Sequence, residues 1–133
     1  MSTLVDSNVL IDVLSEDPRW FEWSAQALAH ASEQAALCIN PVIYAEISIG
    51  YDSPTALDAV LPAAQFERLP LPFSAGFLAG RAFAAYRRKG GVRTSPLPDF
   101  YIGAHALVEE HTLLTRDPAR YRTYFPKIRM ISP

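Results

Sequence analysis

Short apolar runs alternate with helix signals along the whole 133-residue chain, and this alternation limits the available folds more than any other feature. The runs "TLV", "LCI", "FERLPL", "TLLT" and "IRMI" have the length of strands, not helices. The segments between them carry helix punctuation. Asp17-Pro18, Asn40-Pro41 and Ser53-Pro54 each set a capping side chain before a first-turn proline. Ser7 is placed to cap "NVLIDVL", and Ser74 to cap "AGFLAGRAFAAYRRK", whose basic end and Gly90-Gly91 suit a helix C-terminus. Gly50 stops "VIYAEISI", a further helix covers "DFYIGAHALVEEH", and "RDPARYRTYF" reads as a turn. Strands separated by helices throughout predict an α/β fold, with a mainly parallel sheet covered on both faces.

Half the residues are apolar, enough for one core, so residues 1–133 are expected to form one domain. The one cysteine, Cys38, lies in an apolar run and reads as a buried, inert thiol. No leader pattern opens the chain and no apolar span nears twenty residues, so a soluble cytoplasmic protein without a membrane segment is expected. The formal net charge of −2 conceals a division. Residues 1–67 hold ten acids and one base, Arg19, whereas residues 68–133 hold eleven bases and four acids, giving −9 and +7. Such a division suits an anionic partner on the C-terminal half, and equally suits solvated helix surface.

In parallel α/β sheets ligands bind at the carboxyl ends of the strands. Asp6 follows the first strand directly, Asp117 follows "TLLT" by one residue, Asp99 opens the helix before that strand, and Glu46 lies in the helix after the second. Singly, the three aspartates have ordinary roles in turns and caps. Glu46 is harder to dismiss, because "VIYAEISI" is apolar on nearly every side and an unpaired buried charge is costly. Should the four acids converge, each pair at about 4 Å would repel by roughly 4 kcal/mol at an effective dielectric near 20. A hard divalent cation, Mg²⁺ or Mn²⁺, would relieve that repulsion, and the lack of His or Cys company argues against zinc. Such an ion suits phosphodiester hydrolysis. Ser7, Asn8 and Thr115 adjoin these acids and could orient them, or could serve only as caps and strand-end residues.

The segments "LVDSNVLIDVL", "PVIYAEISIG" and "PDFYIGAHALVEEHTLLTRDP" resemble, in order and separation, the signature segments of the PIN domain, and specifically of the VapC toxins of bacterial toxin-antitoxin pairs. The likeness runs from Thr3 to about Ile131. It implies a three-layer α/β/α sandwich and a Mg²⁺- or Mn²⁺-dependent endoribonuclease that cleaves RNA involved in translation (tRNA, rRNA or mRNA). It also implies a cognate VapB-type antitoxin and a homodimer. The family's conserved acids carry over onto Asp6, Glu46, Asp99 and Asp117, with Asp6 and Asp99 as metal ligands and Glu46 and Asp117 as further candidates, and its accessory positions onto Asn8 and Thr115.

An RNA substrate would give the basic half a use. Arg81, Arg87, Arg88, Lys89 and Arg93 cluster around "RRKGGVR", and Arg116, Arg120 and Arg122 flank Asp117, so these cations are expected to form a phosphate-contacting rim. Trp20, Phe21 and Trp23 cannot all share one helix stripe; either they pack the two N-terminal helices or one of them meets a partner. His30, His105 and His111 show no spacing of metal ligands and read as structural or surface residues. Two rival functions stand beside the nuclease. A receiver-like signalling domain would also place acids at strand ends and bind Mg²⁺, but Asp6 stands alone and Lys89 and Lys127 are the only lysines. A non-catalytic PIN-like module is disfavoured by the complete acidic set.

Overall fold

Every strand in the computed structural model, which describes residues 2–133, runs in the same direction, as helix-length connections between short strands require. The strands are β1 (Ser2–Val5), β2 (Ala36–Ile39), β3 (Phe66–Arg68), β4 (Thr112–Leu114) and β5 (Met130–Ile131). The helices are α1 (Ser7–Leu14), α2 (Phe21–Gln34), α3 (Pro41–Ser48), α4 (Pro54–Val60), α5 (Phe73–Arg88), α6 (Pro98–Val108) and α7 (Ala119–Tyr124). The five strands lie in the order β3-β2-β1-β4-β5. Right-handed crossovers put α1 to α4 on one face and α5 to α7 on the other, giving an α/β/α sandwich in which α1 packs on α2 and α3, and α6 on α5 and α7.

Leu4, Val5, Cys38, Ile39, Leu113 and Leu114 are buried on both sides of the sheet, which is why the strands read as unbroken apolar runs. Burial also pushes the Cys38 thiol up to about 12, which keeps it protonated and inert. The chain leaves β1 toward β2 and β3, then crosses back to lay β4 on the other side of β1. The carboxyl ends of β1 and β4 therefore frame the crevice where such sheets take ligands.

Two capping expectations hold: Asn40 Oδ1 accepts from Ile43 N at 2.9 Å and Ser53 Oγ from Ala56 N at 3.1 Å. Three others are corrected. Ser7 is the first residue of α1, not its cap; the cap position belongs to Asp6, whose side chain makes no capping bond. Ser74 lies inside α5, which Pro72 precedes. Asp17 Oδ1 accepts from Arg19 N and Trp20 N, both at 2.9 Å, so it closes a preceding turn and α2 starts only at Phe21. Strand pairing stops early in "FERLPL", where Pro70 has no N–H to give, and only the last two residues of "IRMI" pair. Helix α6 ends at Val108, short of His111, and Glu110 turns the chain with φ 56°.

The segment expected as a turn contains α7, a correction that matters for the site. Tyr121 and Phe125, four residues apart, bury themselves against α6. Gly103 makes this possible, since a Cβ there would stand 2.4 Å from the Phe125 ring and 3.1 Å from that of Tyr121. Trp20 meets Trp23 edge to face at 6.4 Å, and Trp20, Phe21 and Trp23 are all partly covered. Among the described residues no helix is long and apolar enough to cross a membrane.

Candidate functional site

Asp6 leaves the end of β1 in extended conformation, with its backbone N–H on Leu114 O at 2.9 Å, and its carboxylate enters the crevice 3 % exposed. Its two oxygens have unlike surroundings. Oδ2 accepts from the Tyr121 hydroxyl at 2.8 Å, the Thr115 hydroxyl at 2.9 Å and Asn8 Nδ2 at 3.3 Å. Oδ1 has only Ser7 Oγ, at 3.5 Å. The single Ser7 proton goes instead to Glu46 Oε1 at 2.8 Å, the better geometry. Asp6 Oδ1 is thus left with lone pairs and no good donor.

Glu46 reaches this point from the middle of α3 because α1 packs on α3 through the Ser7 end. Asp99, in the first turn of α6, accepts from the Arg120 guanidinium at 3.3 Å on Oδ2, and its Oδ1 lies 3.3 Å from the Tyr121 hydroxyl, whose one proton has the shorter contact to Asp6. The tyrosine hydroxyl thereby lies between the two aspartates. Asp117 stands at the exposed margin, its backbone N–H on Thr115 Oγ1 at 3.1 Å, and its charge acts on Asp99.

The electrostatics follow from burial and crowding. Burial first, then repulsion from Asp99, pushes the Asp6 carboxyl up to about 6, although the Tyr121 and Thr115 bonds pull it down. Burial also raises Glu46 and Asp99 above the usual carboxylate range, with repulsion from Asp99 acting on Glu46 and Asp117 on Asp99. Burial and the neighbouring Asp6 and Asp99 charges raise the Tyr121 hydroxyl well above its usual value, so it stays a donor. Arg120 is the one cation in ion-pair range of these four acids among the described residues. An excess of oxygen anions, with one Asp6 oxygen lacking a donor, fits a hard divalent ion such as Mg²⁺ or Mn²⁺ and offers nothing to a soft one.

Of the residues singled out from sequence, Asp6, Glu46 and Asp99 come together with Ser7, Asn8 and Thr115 around them, and Asp117 borders the group. The basic residues separate. Arg116 Nε binds the buried Asp12 at 2.7 Å, and its guanidinium lies 5.5 Å from the Trp20 ring. Arg87 donates to the Gly91 and Arg93 carbonyls at 3.1 and 2.9 Å, pinning the following loop. Arg81 lies over the Phe77 ring and Lys89 over that of Tyr124, while Arg88 and Arg93 are exposed.

Sequence reasoning missed Tyr121 and the pair Asp12–Arg116. Asp12 also accepts from Ser24 at 2.8 Å, so it knits α1, α2 and the end of β4. An acid inside the apolar "VLIDVL" was the available signal, the same kind that singled out Glu46.

Fold and site together define an all-parallel α/β domain with an all-oxygen acidic pocket at its topological switch point. Residues 3–126 match the PIN domain, and the chain belongs to that family. Solved structures share the fold. VapBC-1 from nontypeable Haemophilus influenzae matches with a TM-score of 0.74 at 18% identity, over 99% of this chain and 98% of that one. VapBC2 from Rickettsia felis, bound to a DNA fragment from its promoter, gives 0.73 at 17%, over 100% and 99%. A toxin-antitoxin complex from Klebsiella pneumoniae gives 0.65 at 22%, over 95% and 94%. No curated protein matches the sequence.

Proposed function

We propose that this chain is the toxin of a VapBC-type pair, a Mg²⁺- or Mn²⁺-dependent endoribonuclease held in check by a VapB-type antitoxin. The observation that carries this reading is Asp6, whose Oδ1 faces the crevice without a good donor while three donors hold Oδ2. Membership of the PIN family, as a family of metal-dependent nucleases, and the likeness to VapBC and toxin-antitoxin complexes support it.

In this reading Asp6 and Asp99 hold the cation, with Glu46 and Asp117 completing the acidic rim. The bound ion would make a water nucleophilic and neutralise charge on the scissile phosphate. Tyr121, Thr115 and Asn8 keep Asp6 in one orientation, and Ser7 does the same for Glu46. Arg81, Arg88, Lys89 and Arg93 hold the RNA backbone that the carboxylates alone would repel, whereas Arg87 shapes their loop from within. The antitoxin is assigned to the apolar groove beside Glu46, lined by Ile11, Leu14, Ile47, Ile49 and Tyr51. A homodimer would cover Phe73 and Phe77, which are 100% and 62% exposed on α5.

Purified protein incubated with total RNA and Mn²⁺ tests the reading. Cleavage that stops with EDTA and in Asp6→Asn and Asp99→Asn is expected. Replacing Arg88, Lys89 and Arg93 by alanine should lower the salt dependence of RNA binding by about one unit per lost contact and leave Mn²⁺ binding intact. A protein inert toward RNA, with no thermal shift on adding Mn²⁺, would instead be a non-catalytic PIN module.

A further inference from the structure

His105, Glu109 and His111 gather where α6 ends and β4 begins, with ligand atoms within 4.8 Å of one another. Four steps of near-extended chain, about 13 Å, lead from His111 to Thr115 at the acidic edge. Glu109 Oε1 lies 2.5 Å from His105 Nε2 and 3.8 Å from His111 Nε2. The His111 side chain is only 10% exposed, and its Nε2 is buried with no hydrogen-bond partner among the described residues. A buried polar nitrogen left unpaired is costly, and this one faces a carboxylate and a second imidazole. The two rings meet nearly at right angles, 78°, with centroids 5.3 Å apart. His111 also lines a cleft with Glu110, Lys127 and Arg129, and the Glu109 side chain is 43% exposed, so solvent ions have a way in.

We propose that His105, Glu109 and His111 form a second metal site, selective for Zn²⁺ and similar borderline ions. Two imidazoles and one carboxylate suit Zn²⁺ and not Mg²⁺, and a tetrahedral ion would keep one position for solvent.

The surroundings of His105 attach a condition. A neutral histidine that ligates through Nε2 carries its proton on Nδ1 and needs an acceptor there. His105 Nδ1 instead lies 3.0 Å from Asn40 Nδ2, a donor, because Asn40 Oδ1 is taken by Ile43 N as the cap of α3. Binding therefore turns the Asn40 amide over, gives its oxygen to His105 and withdraws the cap from the helix that carries Glu46. Zn²⁺ in this site loosens the first turn of α3, and by reciprocity an ion at the acidic edge weakens Zn²⁺ binding.

Replacement of Asn40 by aspartate separates this from a satisfied structural histidine, because a carboxylate accepts from Ile43 N and from His105 Nδ1 together. Titration with Co²⁺ as a spectroscopic stand-in, followed by Zn²⁺ calorimetry, is carried out on the full chain with saturating Mg²⁺. One site per chain is expected, tightened about tenfold or more in Asn40→Asp and lost in His111→Gln and Glu109→Gln. Unchanged stoichiometry and affinity in both of the last two variants would overturn the site. Loss in those variants without tightening in Asn40→Asp would overturn the coupling to α3. Circular dichroism of each variant excludes unfolding as the cause of a loss.

Discussion

Replacing Asp6 by asparagine should stabilise the metal-free protein, and the size of the effect follows from the crevice. The folded state raises the Asp6 carboxyl from 3.8 to about 6, because burial and the Asp99 charge oppose ionisation. At pH 8 the side chain is ionised in both folded and unfolded states, and folding bears a cost of about 3 kcal/mol, near 1.4 kcal/mol for each tenfold weakening of the acid. The sign is that of a raised carboxylate: the extra stability is fully present below pH about 4, declines between 4 and 6, and is absent above. Asparagine keeps an oxygen for the Thr115 and Tyr121 hydroxyls and carries no charge to bury. Urea unfolding in EDTA should therefore show Asp6→Asn more stable than wild type by roughly 2–3 kcal/mol at pH 8, a rise in Tm of about 10 °C. At pH 4 the two should agree within about 0.5 kcal/mol, since wild type is then protonated. Adding Mn²⁺ at pH 8 should reverse the order, because ligand binding stabilises only the chain that retains the carboxylate. Destabilisation at pH 8, or an equal difference at both pH values, would refute the premise that Asp6 is a strained anion awaiting a cation.

Three other substitutions probe the supports of the crevice. Tyr121→Phe removes a buried donor to an ionised acid; it should cost about 1–3 kcal/mol by urea titration and reduce cleavage by on the order of tenfold. Gly103→Ala forces a methyl against Phe125 and Tyr121, so a loss of about 1–3 kcal/mol is expected, together with weaker Mn²⁺ binding by calorimetry. Arg116→Ala strands Asp12, which is 1% exposed, and should cost about 3 kcal/mol in thermal unfolding while leaving the salt dependence of RNA affinity unchanged.

The fold was legible because its causes are local. Strand-length apolar runs, and caps followed by a first-turn proline such as Asn40 and Ser53, act within a few residues, and together they imply a mainly parallel sheet. The acidic positions were legible for a related reason: Asp6 ends a buried strand, and Glu46 interrupts an apolar helix that gives it no partner of its own. Two local readings failed where a distant group outbid the near one. Ser7 could cap its own helix, but its proton goes to Glu46, 39 residues away. "RDPARYRTYF" looked like a turn because six residues are too few to announce a helix, and tertiary contacts, the packing at Gly103 and the Tyr121 bond to Asp6, hold α7 in place.

The allegiance of the charged side chains lay beyond the sequence altogether. Arg87, Arg88, Arg93 and Arg116 are the same residue type in one basic half, yet two engage their own chain and two face solvent. By itself, then, the sequence determined an α/β chain with two acids at strand ends, Asp6 and Asp117, and two more, Glu46 and Asp99, on helices, since periodicity and capping act at short range. Only the tertiary structure decided which donors meet them, because Tyr121 reaches Asp6 across 115 residues and Thr115 across 109, separations that no local pattern encodes. His105, Glu109 and His111 are near neighbours in the chain, and what gathers them is the end of α6 and the turn at Glu110, where sequence spacing had shown no ligand set.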